Sequence, residues 1–176
     1  MIDKMDFKRK ENRILTKILK EQASINSEKI FLAFDDKRIS FASTYLLVKR
    51  YANGLAKAGV KTKQRVCLYM DSCPDYIYLS FAINKIGAHW IPINTDFKGA
   101  WLQDTIFTSD PEIIITDKSN FHSIASIPKL RSRTIYVLAE KEWFEKNYSN
   151  EREILSVDNL LGHSSEFELP NQHYGE

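Results

Sequence analysis

Apolar and polar positions along the chain change period several times. From residue 7 to 22, Phe7, Ile14, Leu15, Ile18 and Leu19 recur on one side with lysines and arginines between them, which predicts an amphipathic helix. "KIFLAF" and "RISF" flank the turn-forming "DDK" and predict a hairpin. From Ser43 onward, Tyr45, Val48, Ala52 and Leu55 return to helical spacing, and Gly59 is placed to close that helix in a left-handed cap. Four continuous apolar runs follow: "RVCLYM" (65–70), "HWIPI" (89–93), "EIIIT" (112–116) and "TIYVL" (134–138). Between them lie helical stretches from Asp75 to Ile86, through "GAWLQDTIFTS" up to Asp110-Pro111, and through "FHSIASI". "EKEWFEKNY" and "SVDNLLG" read as short helices, and "HSSEFELPNQHYGE" as a polar tail.

The strand starts at Val66, His89, Glu112 and Thr134 are about 23 residues apart, room for one helix and two turns each time. Runs that are apolar throughout, without alternation, mark strands covered on both faces. Strand and helix taking turns predicts right-handed crossovers, hence an α/β fold with a mostly parallel layered sheet and helices on both faces. An N-terminal helix and hairpin precede it. Gly87 is the natural reversal out of a helix, and Ala88 keeps the corner narrow. Pro92 lacks the ladder donor, so it belongs near a strand end or on an unpaired edge.

Composition narrows the function classes. With 43% hydrophobic and 27% charged residues the chain reads as globular, and a net charge of +2 implies no general attraction to nucleic acid. Lysines and arginines of the first helix are interrupted by Glu11 and Glu21 without interleaved aromatics, so they read as a solvated face. No apolar run is long enough to span a bilayer, and "MIDKMDFKRKENR" is too charged for a signal peptide, so a cytoplasmic location is expected. His89, His122, His163 and His173 share no metal-ligand spacing with each other or with cysteine, and no metal site is expected. Cys67 sits in an apolar run and reads as a buried hydrophobe. Cys73 precedes Pro74 at a helix start, where the dipole could lower a thiol pKa, although an inert structural cysteine is the simpler reading.

The order of segments from "RISFASTYLLVKRYANGLAKAGV" through "KQRVCLYM" to "NKIGAHWIPIN" resembles the opening of the AMP-forming acyl-CoA synthetases, the adenylate-forming superfamily. Ile39, Ser40 and Phe41 match its first motif, Gly59, Val60 and "KQRVCL" the second, and Ser72 to Asn94 the third; Lys63 and Gln64 depart from the usual Gly and Asp. The continuation "PINTDFKGAWL" resembles the fatty-acid and carnitine CoA ligases more than the peptide-synthetase adenylation domains. The resemblance implies residues 1–26 as an N-terminal helix, 27–162 as the α/β N-terminal subdomain, and 163–176 as a polar tail ahead of the ATP phosphate loop. It further implies ATP, magnesium, CoA and a carboxylic acid for the complete enzyme, and a C-terminal portion as the chain's partner.

That phosphate loop is rich in Ser, Thr and Gly because small side chains let backbone N–H groups surround a polyanion. The six glycines here, at 54, 59, 87, 99, 162 and 175, form no such nest. The acidic magnesium motif and the C-terminal lysine of the family have no counterpart either. The chain is therefore expected to be an N-terminal piece of an acid–CoA ligase, inactive alone, with no catalytic residues of its own. The competing expectation is a stand-alone α/β binding module derived from such a ligase. A dinucleotide-binding protein is disfavoured, since "MDSCPD" after the first parallel strand has no glycine.

Ligands collect beyond the carboxyl ends of parallel strands, where the chain carries Asp71-Ser72, Asn94-Thr95-Asp96, Asp117-Lys118-Ser119 and Glu140. By the resemblance, Asn94, Thr95 and Asp96 would face the approach of the CoA nucleotide, with Lys118 the cation for a phosphate. Trp90, Phe97 and Trp101 read as core aromatics in preference to an acyl-chain wall. A truncated sheet would also expose an apolar surface that drives self-association.

Overall fold

The computed structural model describes residues 12–128, 130 and 133–147, with residue 8 and residues 161–162. Its elements run α1 (Leu15–Ile25), β1 (Ile30–Phe34), β2 (Lys37–Ser40), α2 (Phe41–Lys57), β3 (Arg65–Tyr69), α3 (Pro74–Ile86), β4 (His89–Pro92), α4 (Gly99–Ser109), β5 (Ile113–Asp117), α5 (Phe121–Ala125), β6 (Thr134–Leu138) and α6 (Lys141–Asn147). β1 and β2 pair antiparallel, while β3 to β6 form a parallel sheet in the order β4-β3-β5-β6. The α/β architecture expected from the continuous apolar runs is the one found.

The pleat sends alternate residues to two cores. Val66, Leu68, Ile113, Ile115, Tyr136 and Leu138 join Leu19 of α1 and the inner faces of α2 and α3. Cys67, Tyr69, Ile114, Ile135 and Val137 pack instead with Leu102, Ile106, Phe121, Ile124 and Phe144 of α4, α5 and α6. Continuous hydrophobicity in the sequence is thus the sum of two period-two patterns.

Helix ends are set by backbone chemistry. At the end of α3, Gly87 N–H donates to Asn84 O (3.0 Å) and Ala88 N–H to Ile83 O (3.1 Å), the paired bonds of a Schellman cap, with Gly87 at φ 80°. Gly59 (φ 96°) does the same after α2, through Gly59 N–H to Ala56 O and Val60 N–H to Leu55 O. α4 stops at Asp110, left-handed at φ 47°, directly before Pro111. Arg65 and Arg133 hold that strained aspartate, their Nη2 atoms lying 3.0 and 2.6 Å from its carboxylate.

Pro92 ends β4, and β4 is an outer strand. His89 and Ile93 donate inward to Gln64 O and Leu68 O, so Trp90 and Pro92, of opposite parity, aim their nitrogens at the open edge. Proline leaves that edge without one donor, a guard against stray strand pairing. Boundaries shift: α2 starts at Phe41, which was expected to close the hairpin, and α1 runs to Ile25 where residue 22 was expected. The first helix starts at Leu15, not residue 7, with Ile14 as an extended N-cap; residues 1–7 and 9–11 lie outside the described residues, as do nearly all of "SVDNLLG" and the whole polar tail. Gly87→Ala should cost about 1–2 kcal/mol, because an L-residue is strained in the left-handed region. Urea unfolding should show a lower midpoint with an unchanged slope; an unchanged midpoint would refute the Schellman account.

Candidate functional site

The helix after β3, α3, covers one face of the sheet, whereas the helix after β5, α5, covers the other. β3 and β5 are neighbours, so their outgoing connections diverge at their carboxyl ends. Open α/β sheets bind ligands at such a switch point. Here the two connections are tied by Asp71 N–H donating to Asp117 Oδ2 at 2.7 Å.

Asp117 organises the loop that follows it. Its Oδ1 accepts from Ser119 Oγ (2.7 Å), Asn120 N–H (2.8 Å) and Asn120 Nδ2 (3.0 Å), the amide also lying 3.2 Å from Oδ2. Burial pushes this half-buried carboxyl upward, yet the hydrogen bonds from Asp71, Ser119 and Asn120 outweigh it and hold the group below its ordinary range. Asn120, only 5% exposed, passes the network on: its Oδ1 accepts from Lys98 Nζ at 3.1 Å.

Lys98 Nζ also donates to Tyr69 Oη (2.9 Å) and stands 5.3 Å from the centre of the Tyr69 ring. The Tyr69 hydroxyl in turn donates toward Phe97 O at 2.8 Å, with Thr95 O at 3.2 Å. One chain of bonds therefore runs from the β4–α4 loop through Tyr69, Lys98, Asn120 and Asp117 to the end of β3. Lys98 reads in sequence as a solvated turn lysine, and the identities of Tyr69 and Asn120 signal core and turn; nothing local announces that the three meet.

The expected site residues divide. Asn94, Thr95 and Asp96 lie in the β4–α4 loop, where Asn94 Oδ1 accepts the Asp96 N–H at 3.0 Å and Asn94 O accepts the Phe97 N–H at 3.1 Å. Lys118 is on the next loop and forms an ion pair with Glu140 at 2.6 Å. Both partners are well exposed, 43% and 62%, so solvent screening keeps the pair weak. The Lys118 hydrogen bond holds the Glu140 carboxyl below its usual range.

The cysteine and aromatic readings are also resolved. Cys67 is fully buried and its thiol is pushed up to about 12 by desolvation. Cys73 does cap α3, yet burial raises its thiol, which overturns the lowered-pKa reading and leaves a structural cysteine. Trp101 is 66% exposed and stacks on Phe97 (4.4 Å, 13°), and Trp90 is 40% exposed, so neither tryptophan is a core residue. α4 buries Leu102 and Ile106, which turns Trp101 outward. Among the described residues, no three His, Cys, Asp or Glu are grouped to hold a metal ion.

A family model described as AMP-binding enzyme matches residues 19–170. The chain is 33% identical over 88 residues to a crotonobetaine/carnitine–CoA ligase of Salmonella typhimurium, an overlap of 46% of this chain. It spans 17% of the length of the curated relatives it matches. The solved coronafacic acid ligase from Pectobacterium brasiliense superposes with a TM-score of 0.74 at 22% identity, covering 86% of this chain and 30% of that one. A long-chain-fatty-acid–CoA ligase from Archaeoglobus fulgidus gives 0.73 at 16% identity, covering 91% and 32%. The two superpositions show the fold.

Because the Asp117 carboxyl titrates lower folded than unfolded, its contribution is complete above the ordinary aspartate value and disappears as pH falls through the folded one. Asp117→Asn should lower stability by roughly 1–2 kcal/mol at neutral pH, the scale of leaving half-buried donors poorly paired. Its deficit should shrink on acidification below about pH 4, as the wild type loses what the variant lacks. Urea midpoints measured from pH 7 to pH 2.5 test this; a deficit that stays constant across that range contradicts it.

Proposed function

The chain belongs to the AMP-binding enzyme family, and from that premise we propose that it forms the N-terminal α/β layer of an AMP-forming acid–CoA ligase. The family match over residues 19–170 carries this reading. The Gly87 corner supports it: the "NKIGAHWIPIN" stretch ends a helix, turns through the Schellman cap and enters the outer strand β4. The proposed substrate is a carboxylic acid, the class named for crotonobetaine/carnitine–CoA ligase and coronafacic acid ligase, with a leaning to fatty-acid or carnitine-type acids. The same reading puts the work in the cytoplasm; no helix among the described residues is long and apolar enough to cross a membrane.

Among the described residues, none is arranged to hold ATP phosphates or magnesium. The six glycines are scattered, and the Asp117 carboxylate is already filled by N–H and O–H donors. A carboxylate so occupied is a poor metal ligand, since each new bond would displace a made one. Adenylation is therefore assigned to the rest of the enzyme. For CoA, the proposed contribution of this chain is the wall of the approach: Asn94, Thr95 and Asp96 on one loop and Lys118 on the next. The weak Lys118–Glu140 pair lets Lys118 exchange its partner for a phosphate.

The division into 1–26, 27–162 and 163–176 is part of the same proposal. Trp101 and Trp90, on the α4 and α3 sides of the open β4 edge, give the remaining polypeptide an apolar surface to cover.

Purified chain incubated with ATP, magnesium, CoA and a panel of carnitine-type, medium-chain and long-chain acids should release no pyrophosphate. The polypeptide in which the chain is followed by a phosphate-loop region should release it in an acid-dependent manner and form the CoA thioester. Turnover by the 176-residue chain alone, or none by the longer polypeptide, would sink the proposal.

A further inference from the structure

The structure assigns Lys98 as a positioning residue that couples the two loops of the mouth. The candidate CoA wall is built from two separate loops, after β4 and after β5, and no backbone pairing joins β4 to β5. Some other contact must hold them in one geometry. Lys98 supplies it: its ammonium donates to Tyr69 Oη and to Asn120 Oδ1, at 2.9 and 3.1 Å.

Each acceptor is itself fixed. The Tyr69 hydroxyl bonds the carbonyl side of the Thr95–Phe97 segment, and the Asn120 amide is clamped by the Asp117 carboxylate. Neither acceptor is a carboxylate. The ammonium is held by neutral oxygens, an arrangement whose worth lies in its geometry, since neither acceptor is charged.

Lys98 also breaks a local rule. It is the N-cap of α4, makes no side-chain capping bond, and puts a cation at the positive end of the helix dipole. Serine, threonine or aspartate would cap better. A residue that forfeits a local preference has a tertiary task, and here that task is the bridge to α5. Lys118, the cation expected from sequence, points instead to Glu140 and ties the β5 loop to the residues after β6. The two lysines thus have different jobs: one sets the width of the mouth, and the other offers an exchangeable charge.

The functional half of this inference rests on the CoA-ligase reading; the coupling half does not. Lys98→Met keeps the aliphatic stem and removes the donors, while Lys98→Arg keeps charge and donors. Because the residue lies at the surface, both variants should melt within a few degrees of wild type. In the 176-residue chain, amide exchange in Lys98→Met should speed up about tenfold at both Thr95–Trp101 and Ser119–Phe121, and Lys98→Arg should recover at least half of the lost protection.

In the complete ligase, the KM for CoA should rise about tenfold in Lys98→Met while acid-dependent ATP–pyrophosphate exchange stays within about twofold. Unchanged amide exchange, acceleration confined to one loop, or an unchanged KM for CoA overturns the assignment. Should the complete protein show no CoA-dependent turnover at all, the ligase reading falls, and the amide-exchange arm still decides whether Lys98 couples the loops.

Discussion

β3 has to be covered on all four sides, and much of the molecule follows from that. Hydrogen bonds to β4 and β5 satisfy its two edges, and the α1–α3 and α4–α6 layers take its alternate side chains. Past Arg65 at its half-exposed start, a strand in this position carries apolar side chains only, Val66, Cys67 and Leu68. Tyr69, its last residue, is where that rule relaxes: the ring is buried in the α4 side, while the hydroxyl reaches the β4–α4 loop and accepts from Lys98. The transition from core to site occurs within one side chain.

The same geometry explains why the mouth sits where it does. Chain that leaves β3 toward one face and β5 toward the other cannot fill the gap between their ends, and exposed backbone there needs partners. Asp117 answers that need by accepting from Asp71 N–H across the gap and from Ser119 and Asn120 on its own loop. At the opposite end, Asp110 plays a related part for Arg65 and Arg133, where the arginine contacts of its exposed carboxyl hold it low. One aspartate braces each end of the sheet. The amino end is a clasp between cations and a cap, whereas the carboxyl end is a network with loops on both sides.

The fold was largely legible because its signals are local. Ile113, Ile114 and Ile115 announce a strand covered on both faces, Gly59 and Gly87 mark left-handed caps, and Asp110-Pro111 stops a helix. The start of α1 is less legible: the apolar period runs on through Ile14, yet Ile14 is extended and serves as the N-cap. The site was legible only in outline. Polar residues after strands can be found by position, and Asn94–Asp96, Asp117 and Lys118 stand out that way. Which lysine does what depends on partners far away in sequence: Lys98 meets Tyr69 and Asn120, 29 and 22 residues off, and Lys118 meets Glu140, 22 residues off. The exposure of Trp101 is hidden for a similar reason, since the helix period does not say which face Leu102 and Ile106 will claim.

At the centre of this account is an ionised Asp117 that acts as the keystone of the strand-end network and is spent on N–H and O–H donors, leaving nothing for a metal. Its own titration is the most direct test. A carbon-13 NMR pH titration of the Asp117 side-chain carboxyl should give a midpoint below the ordinary aspartate value of 3.8, unmoved by millimolar magnesium. A midpoint at or above that value, or one that shifts when magnesium is added, would contradict it.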